Sequence, residues 1–107
     1  MENKFKINIP VKKISAFCEK WKITELSLFG SILRKDFSKA SDIDVLVSFT
    51  KDHPWNLFDV VRMEAELSKI LGRSVDFVVR SGLEQSKNDI RRKEIFSTAR
   101  VVYAKAA

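Results

Sequence analysis

The sequence predicts an α+β fold, a single minimal domain over 1–107 in which a small mixed β-sheet is flanked by helices. Three observations carry this. Apolar spacing switches repeatedly between period two and periods of three to four, so strands and helices alternate along the chain. The 107 residues, 45% hydrophobic and 32% charged, suit one globular core and no second domain. The longest unbroken apolar run, Val101 to Ala104, is far short of the roughly 20 residues that cross a bilayer.

The elements follow in order. Pro10 stands where a helix begins, and Val11, Ile14, Phe17, Cys18 and Trp21 recur at spacings of three and four, an amphipathic first helix. From Ile23 to Phe29 the period drops to two, with Leu26 and Leu28 on one face and Ser27 and Phe29 on the other, and the strand ends at Gly30. Ser31 to Arg34 reads as a short helical turn and Lys35 to Ser41 as a polar loop. Asp42 to Phe49 alternates strictly, with Ile43, Val45, Val47 and Phe49 on one face and Asp42, Asp44 and Leu46 on the other. His53 and Pro54 break that strand. Leu57 to Leu71 is a helix with Leu57, Val60, Met63, Leu67 and Ile70 as its buried stripe, closed by Gly72. Ser74 to Val79 is a third strand, Leu83 to Ser97 a weakly amphipathic basic helix, and Arg100 to Tyr103 a last short strand.

Composition narrows the chemistry. A lone Cys18 forms no internal disulfide, and Met1 to Pro10 has no apolar signal core, so a cytoplasmic protein with no membrane contact is expected. With one Cys and one His a zinc site is not expected, and any metal would be held by carboxylates. An excess of 20 Lys and Arg over 14 Asp and Glu, net +6, favours an anionic partner, whether nucleotide phosphates, RNA or an acidic protein, and the sign does not choose among them. The basic segment Lys87, Arg91, Arg92 and Lys93 is interrupted by Asp89 and Glu94. It reads as a solvated face laced with ion pairs, with a partner or nucleotide surface as the alternative.

The informative constellation is Gly30-Ser31, ten residues, then Asp42-Ile43-Asp44. By composition, accidental matches to this pattern number on the order of 0.001. A Gly directly after a strand lets backbone N–H groups approach a phosphate closely, and Ser31 adds a hydroxyl donor. Asp42 and Asp44, two apart on a strand, leave from one face about 6 to 7 Å apart and can converge on shared cations. Two magnesium ions fit that spacing. Asp76 lies within the apolar third strand, and if that strand pairs beside the second, its carboxylate reaches the same face. Three acids this close repel one another unless cations neutralise them.

These residues resemble a known family. Leu28-Phe29-Gly30-Ser31 followed by Asp42-Ile43-Asp44-Val45-Leu46-Val47 is similar to the GS-x10-DxD signature of the nucleotidyltransferase superfamily, which includes DNA polymerase β and the aminoglycoside nucleotidyltransferases. A chain of this size resembles the minimal nucleotidyltransferase antitoxins that stand beside HEPN ribonuclease toxins. The resemblance implies a polymerase β-like fold, nucleotide binding at Gly30, Ser31 and Arg34, and metal binding and catalysis at Asp42, Asp44 and Asp76. The loop departs from the family pattern, with Arg34-Lys35 where Arg-Gly is common and Lys39-Ala40-Ser41-Asp42 in place of Pro-x-Ser-Asp.

The implied activity is transfer of AMP from ATP, with two Mg2+ ions, to a tyrosine hydroxyl of a partner HEPN toxin, which it neutralises. Direct nucleic-acid binding is not expected. Two other readings stand beside this one: an antitoxin that acts by binding alone, and the catalytic half of a split antibiotic nucleotidyltransferase.

Overall fold

A computed structural model of the chain describes residues 9–33, 42–52 and 54–105. Arg34, the loop 35–41 and His53 lie outside these residues. The elements are α1 (Val11–Lys20), β1 (Ile23–Phe29), a 3₁₀ turn (Gly30–Leu33), β2 (Ile43–Phe49), α2 (Leu57–Leu71), β3 (Val75–Val79), α3 (Arg80–Glu84), α4 (Asp89–Thr98) and β4 (Arg100–Ala104). The strands form one sheet in the order β3-β2-β1-β4. β1 runs antiparallel to both neighbours while β2 and β3 are parallel, joined by α2, so the sheet is mixed as the sequence predicts.

Helices cover both sheet faces. On one face Ile14, Phe17 and Cys18 of α1 and Met63 and Leu67 of α2 pack on Leu26 and Leu28 of β1 and Ile43, Val45 and Val47 of β2. Ile23 joins this core although its parity differs from that of Leu26. A register shift between Ile23 and Glu25 inserts one residue and returns Ile23 to the inner face. The other face carries a smaller cluster in which Phe29 and Leu46 meet Leu83 of α3 and Ile95 of α4.

Two sequence expectations need correction. Leu57 is 76% exposed and takes no part in the buried stripe of α2. Trp55 fills that end of the core instead. Its ring meets Trp21 edge-on at 5.1 Å, and its indole N–H donates to the Trp21 carbonyl at 2.7 Å. The predicted helix 83–97 is also two helices, α3 and α4. Twelve residues of continuous helix would rotate Leu83 and Ile95 about 120° apart, whereas the break lets both enter one cluster. Local chemistry makes the break: the Asn88 side chain accepts from the Arg91 N–H at 3.1 Å and caps α4, and the Ser86 hydroxyl accepts from the Asn88 N–H. Among the described residues no helix is long and apolar enough to cross a membrane.

Candidate active site

β1 delivers the chain to Gly30, which has φ +71°, a left-handed conformation that side chains rarely adopt. The 3₁₀ turn then carries Ser31 and is anchored by Ile32, which is 1% exposed in the larger core. The missing side chain of Gly30 matters for a further reason. A Cβ placed there would overlap the Asp44 carboxylate and lie 3.0 Å from its Cγ. Glycine therefore makes room for an acid on the neighbouring strand, a role beyond the phosphate approach read from the sequence.

The acids are set by strand register. Phe29 faces Asp44 across β1 and β2, and Asp44 faces Asp76 across the parallel β2 and β3, so the three residues form one row over three strands. Adjacent strands are about 4.8 Å apart, which brings the Asp44 and Asp76 side chains within reach of a common ion. The pairing that the sequence left conditional is present. The Ile43 N–H donates to the Ser74 carbonyl at 2.9 Å and extends the ladder to the start of β2, beside Asp42. Asp42 is exposed just ahead of that strand, Asp44 is half-buried and Asp76 is exposed.

A cavity of about 210 Å³ opens at this row. Gly30, Asp44 and Asp76 line its sheet side, with Phe29 beneath. Its other wall is α4, through Arg91, Glu94, Ile95 and Thr98. The structure thus brings Gly30, Asp44 and Asp76 together and places Asp42 at the entrance to β2 rather than in the lining. The sequence offered a nucleotide surface here only as the alternative to a solvated face, and did not single out Arg91, Glu94 and Thr98, which recur at spacings of three and four, the signal of one helical face. A larger hollow of about 850 Å³ lies near Cys18, Lys22, Thr50 and Tyr103, and contains neither the Gly-Ser turn nor a strand acid. Cys18 there is fully buried, and that burial, with Glu19 beside it, pushes its thiol up to about 12, so it is no nucleophile at neutral pH.

The donor chemistry at the row is oxygen alone, which suits a hard divalent cation. Among the described residues no three Asp, Glu, His or Cys side chains gather into a ready-made cage. Magnesium does not require one, because it binds through one or two carboxylates and completes its shell with waters and substrate phosphates. Asp44 and Asp76, with the space left by Gly30, fit that mode.

A family model described as a nucleotidyltransferase domain matches residues 11–101. The chain belongs to this family. The match spans every described element from α1 into β4, and so covers the sheet, the turn and the acid row. A Methanocaldococcus jannaschii protein provisionally named a protein adenylyltransferase is 34% identical over 83 residues, covering 78% of this nucleotidyltransferase and 87% of the relative. A solved structure provisionally described as a minimal nucleotidyltransferase is similar at a TM-score of 0.65 and 26% identity, over 84% of this chain and 86% of that one. A chain from the complex of tri-AMPylated Shewanella oneidensis HEPN toxin with MNT antitoxin shares the fold, with a TM-score of 0.60 at 18% identity over 89% and 70% of the two chains.

Proposed function

We propose that this nucleotidyltransferase is an antitoxin of the minimal type, which works in the cytoplasm and transfers AMP from ATP to a tyrosine hydroxyl of a HEPN ribonuclease toxin. The observation that carries the reading is the in-register pair Asp44 and Asp76 beside the left-handed Gly30 turn. The adenylyltransferase name of the relative and the AMPylated toxin in the Shewanella complex support the choice of donor and partner.

In this reading Asp42 and Asp44 hold Mg2+, with Asp76 as the third acid. The bound ions supply positive charge that offsets the charge building on the phosphates in the transition state. The N–H groups of the turn after Gly30, with Ser31 and Arg34, receive phosphate oxygens. Asp76 accepts the proton of the tyrosine hydroxyl as its oxygen bonds to the α-phosphorus and the bond to pyrophosphate breaks. The exposure of Asp76 leaves that carboxylate open to an approaching protein.

Co-expression with a HEPN partner and intact-mass analysis tests the proposal. The partner should gain one or more whole AMP units on a tyrosine, and Asp44→Asn should bind the partner but leave its mass unchanged. A partner that is inactivated but unmodified makes the chain a binding antitoxin; AMP found instead on a small hydroxylated drug makes it half of a split antibiotic enzyme.

A further inference from the structure

We infer that Arg91 is a nucleotide-binding residue of this site and that its guanidinium holds the β- and γ-phosphates of the triphosphate. The inference rests on the reading of the pocket as a nucleotide site and adds a residue that neither the Gly-Ser turn nor the strand acids supply.

The placement follows from α4. Ile95 is 4% exposed and locked among Phe29, Leu46 and Leu83, which fixes the rotation of the helix about its axis. Arg91 lies four residues earlier, one turn toward the start of the helix and on the same face, and it reaches the pocket that Asp44 and Asp76 line. The start of the helix is itself fixed, because the Arg91 backbone N–H is held by the Asn88 side chain.

Charge singles this residue out. Asp44, Asp76 and Glu94 bring three negative charges to the described lining, and Arg91 is the cation among the described lining residues. Its neighbour Arg92 is already engaged, paired with Asp89 at 2.6 Å. The Arg91 guanidinium has no ion-pair partner among the described residues. A triphosphate with its ions would still meet an excess of negative charge from the lining acids, and a planar fork of N–H donors matches pairs of phosphate oxygens.

Size points to the terminal phosphates. At about 210 Å³ the pocket is smaller than the 300–1,000 Å³ typical for a whole ligand, so it suits a polyphosphate with its ions while the nucleoside extends over the rim. The α-phosphorus must stay accessible to the acceptor beside the exposed Asp76. The helix wall is then left to the two phosphates that depart as pyrophosphate.

Calorimetric titration of the full chain with a non-hydrolysable ATP analogue and Mg2+, and competition by Mg-pyrophosphate, test this. Arg91→Ala should weaken both ligands by about 10- to 100-fold, the scale of one charge-assisted contact. Arg91→Lys should recover part of the loss, and the control Lys93→Ala, at an exposed position outside the lining, should bind both as wild type does. The thermal midpoint of Arg91→Ala should stay at the wild-type value, because the side chain is exposed and carries no core contact. Wild-type affinity in Arg91→Ala, with Asp44→Asn still disrupting Mg-dependent binding, overturns the inference and leaves the nucleotide site standing. Weaker analogue binding with unchanged pyrophosphate competition overturns the assignment to the terminal phosphates. A wild-type chain that binds neither ligand removes the site and the inference together.

Discussion

Gly30→Ala separates the two roles of this glycine, because its effects on stability and on chemistry have different sources. At φ +71° an alanine costs about 1–2 kcal/mol of backbone strain. At roughly 4–8 °C per kcal/mol for a domain of this size, the unfolding midpoint should fall by about 4–16 °C. The new methyl also meets Asp44. Turning the carboxylate moves its oxygens aside and Cβ at 3.4 Å is in ordinary contact, but Cγ at 3.0 Å stays too close, so the side chain must also swing about its Cα–Cβ bond. A shift of about 1 Å in a catalytic group costs on the order of 100-fold in rate, and that is the expected loss of AMP incorporation. Gly72 provides the control. It has nearly the same φ, +70°, at the end of α2, and a Cβ there meets nothing within 4 Å. Gly72→Ala should lose similar stability and keep its activity. Scanning calorimetry beside incorporation of labelled ATP reads both quantities, and equal activity in the two variants would refute the argument that Gly30 makes room for Asp44.

Asp44→Asn and Asp76→Asn should each lower nucleotidyl transfer by roughly 1,000-fold or more in the same incorporation assay, while the exposed Asp76 position leaves stability within about 0.5 kcal/mol in denaturant titration. Asn56→Ala removes one side of a reciprocal cap, in which Asn56 accepts from the Asp59 N–H and Asp59 accepts from the Asn56 N–H, both at 3.0 Å; urea unfolding should show a loss of about 1 kcal/mol with activity intact. The Cys18 thiol is raised from 9.0 to about 12 in the folded protein, so its contribution is complete below pH 9 and is lost between pH 9 and 12 as the unfolded thiol ionises first. Wild type should therefore lose about 2 kcal/mol more than Cys18→Ala between pH 8.5 and 10.5 in urea titrations, and matching pH slopes would exclude the effect.

The site was partly legible because its residues are close in sequence and lie on strongly periodic strands. The two-residue period of β2 places Asp42, Asp44 and Leu46 on one face, and the structure puts Leu46 in the smaller core beyond the acid row. Asp76 was legible only as a condition, since its partner depends on the order of strands in the sheet, which local periodicity does not encode. The α4 wall depended on still more. Its position requires the break at Asn88, and its rotation is set by Ile95 against Phe29 and Leu46, so Arg91 could not be told from other surface cations before the packing was known. Leu57 shows the same limit in a simpler form. It satisfies helical spacing, but Trp55 occupies that end of the core.

The two sheet faces divide the work, and the division is the reason that changing the acids is expected to leave the chain folded. The face under α1 and α2 holds most of the buried side chains among the described residues. The face under α3 and α4 has a short apolar layer that stops at Phe29, and the next groups across the sheet are Asp44 and Asp76. Placed at that margin, with Asp44 half-buried and Asp76 exposed, the carboxylates avoid the full cost of burying charge. Substrate arriving under α4 would exclude water and strengthen each electrostatic contact in the pocket. Phe29 belongs to both regions, packing with Leu46 and Ile95 while lining the cavity, so the small core that holds α4 in place also sets where Arg91 and Glu94 stand relative to the acids.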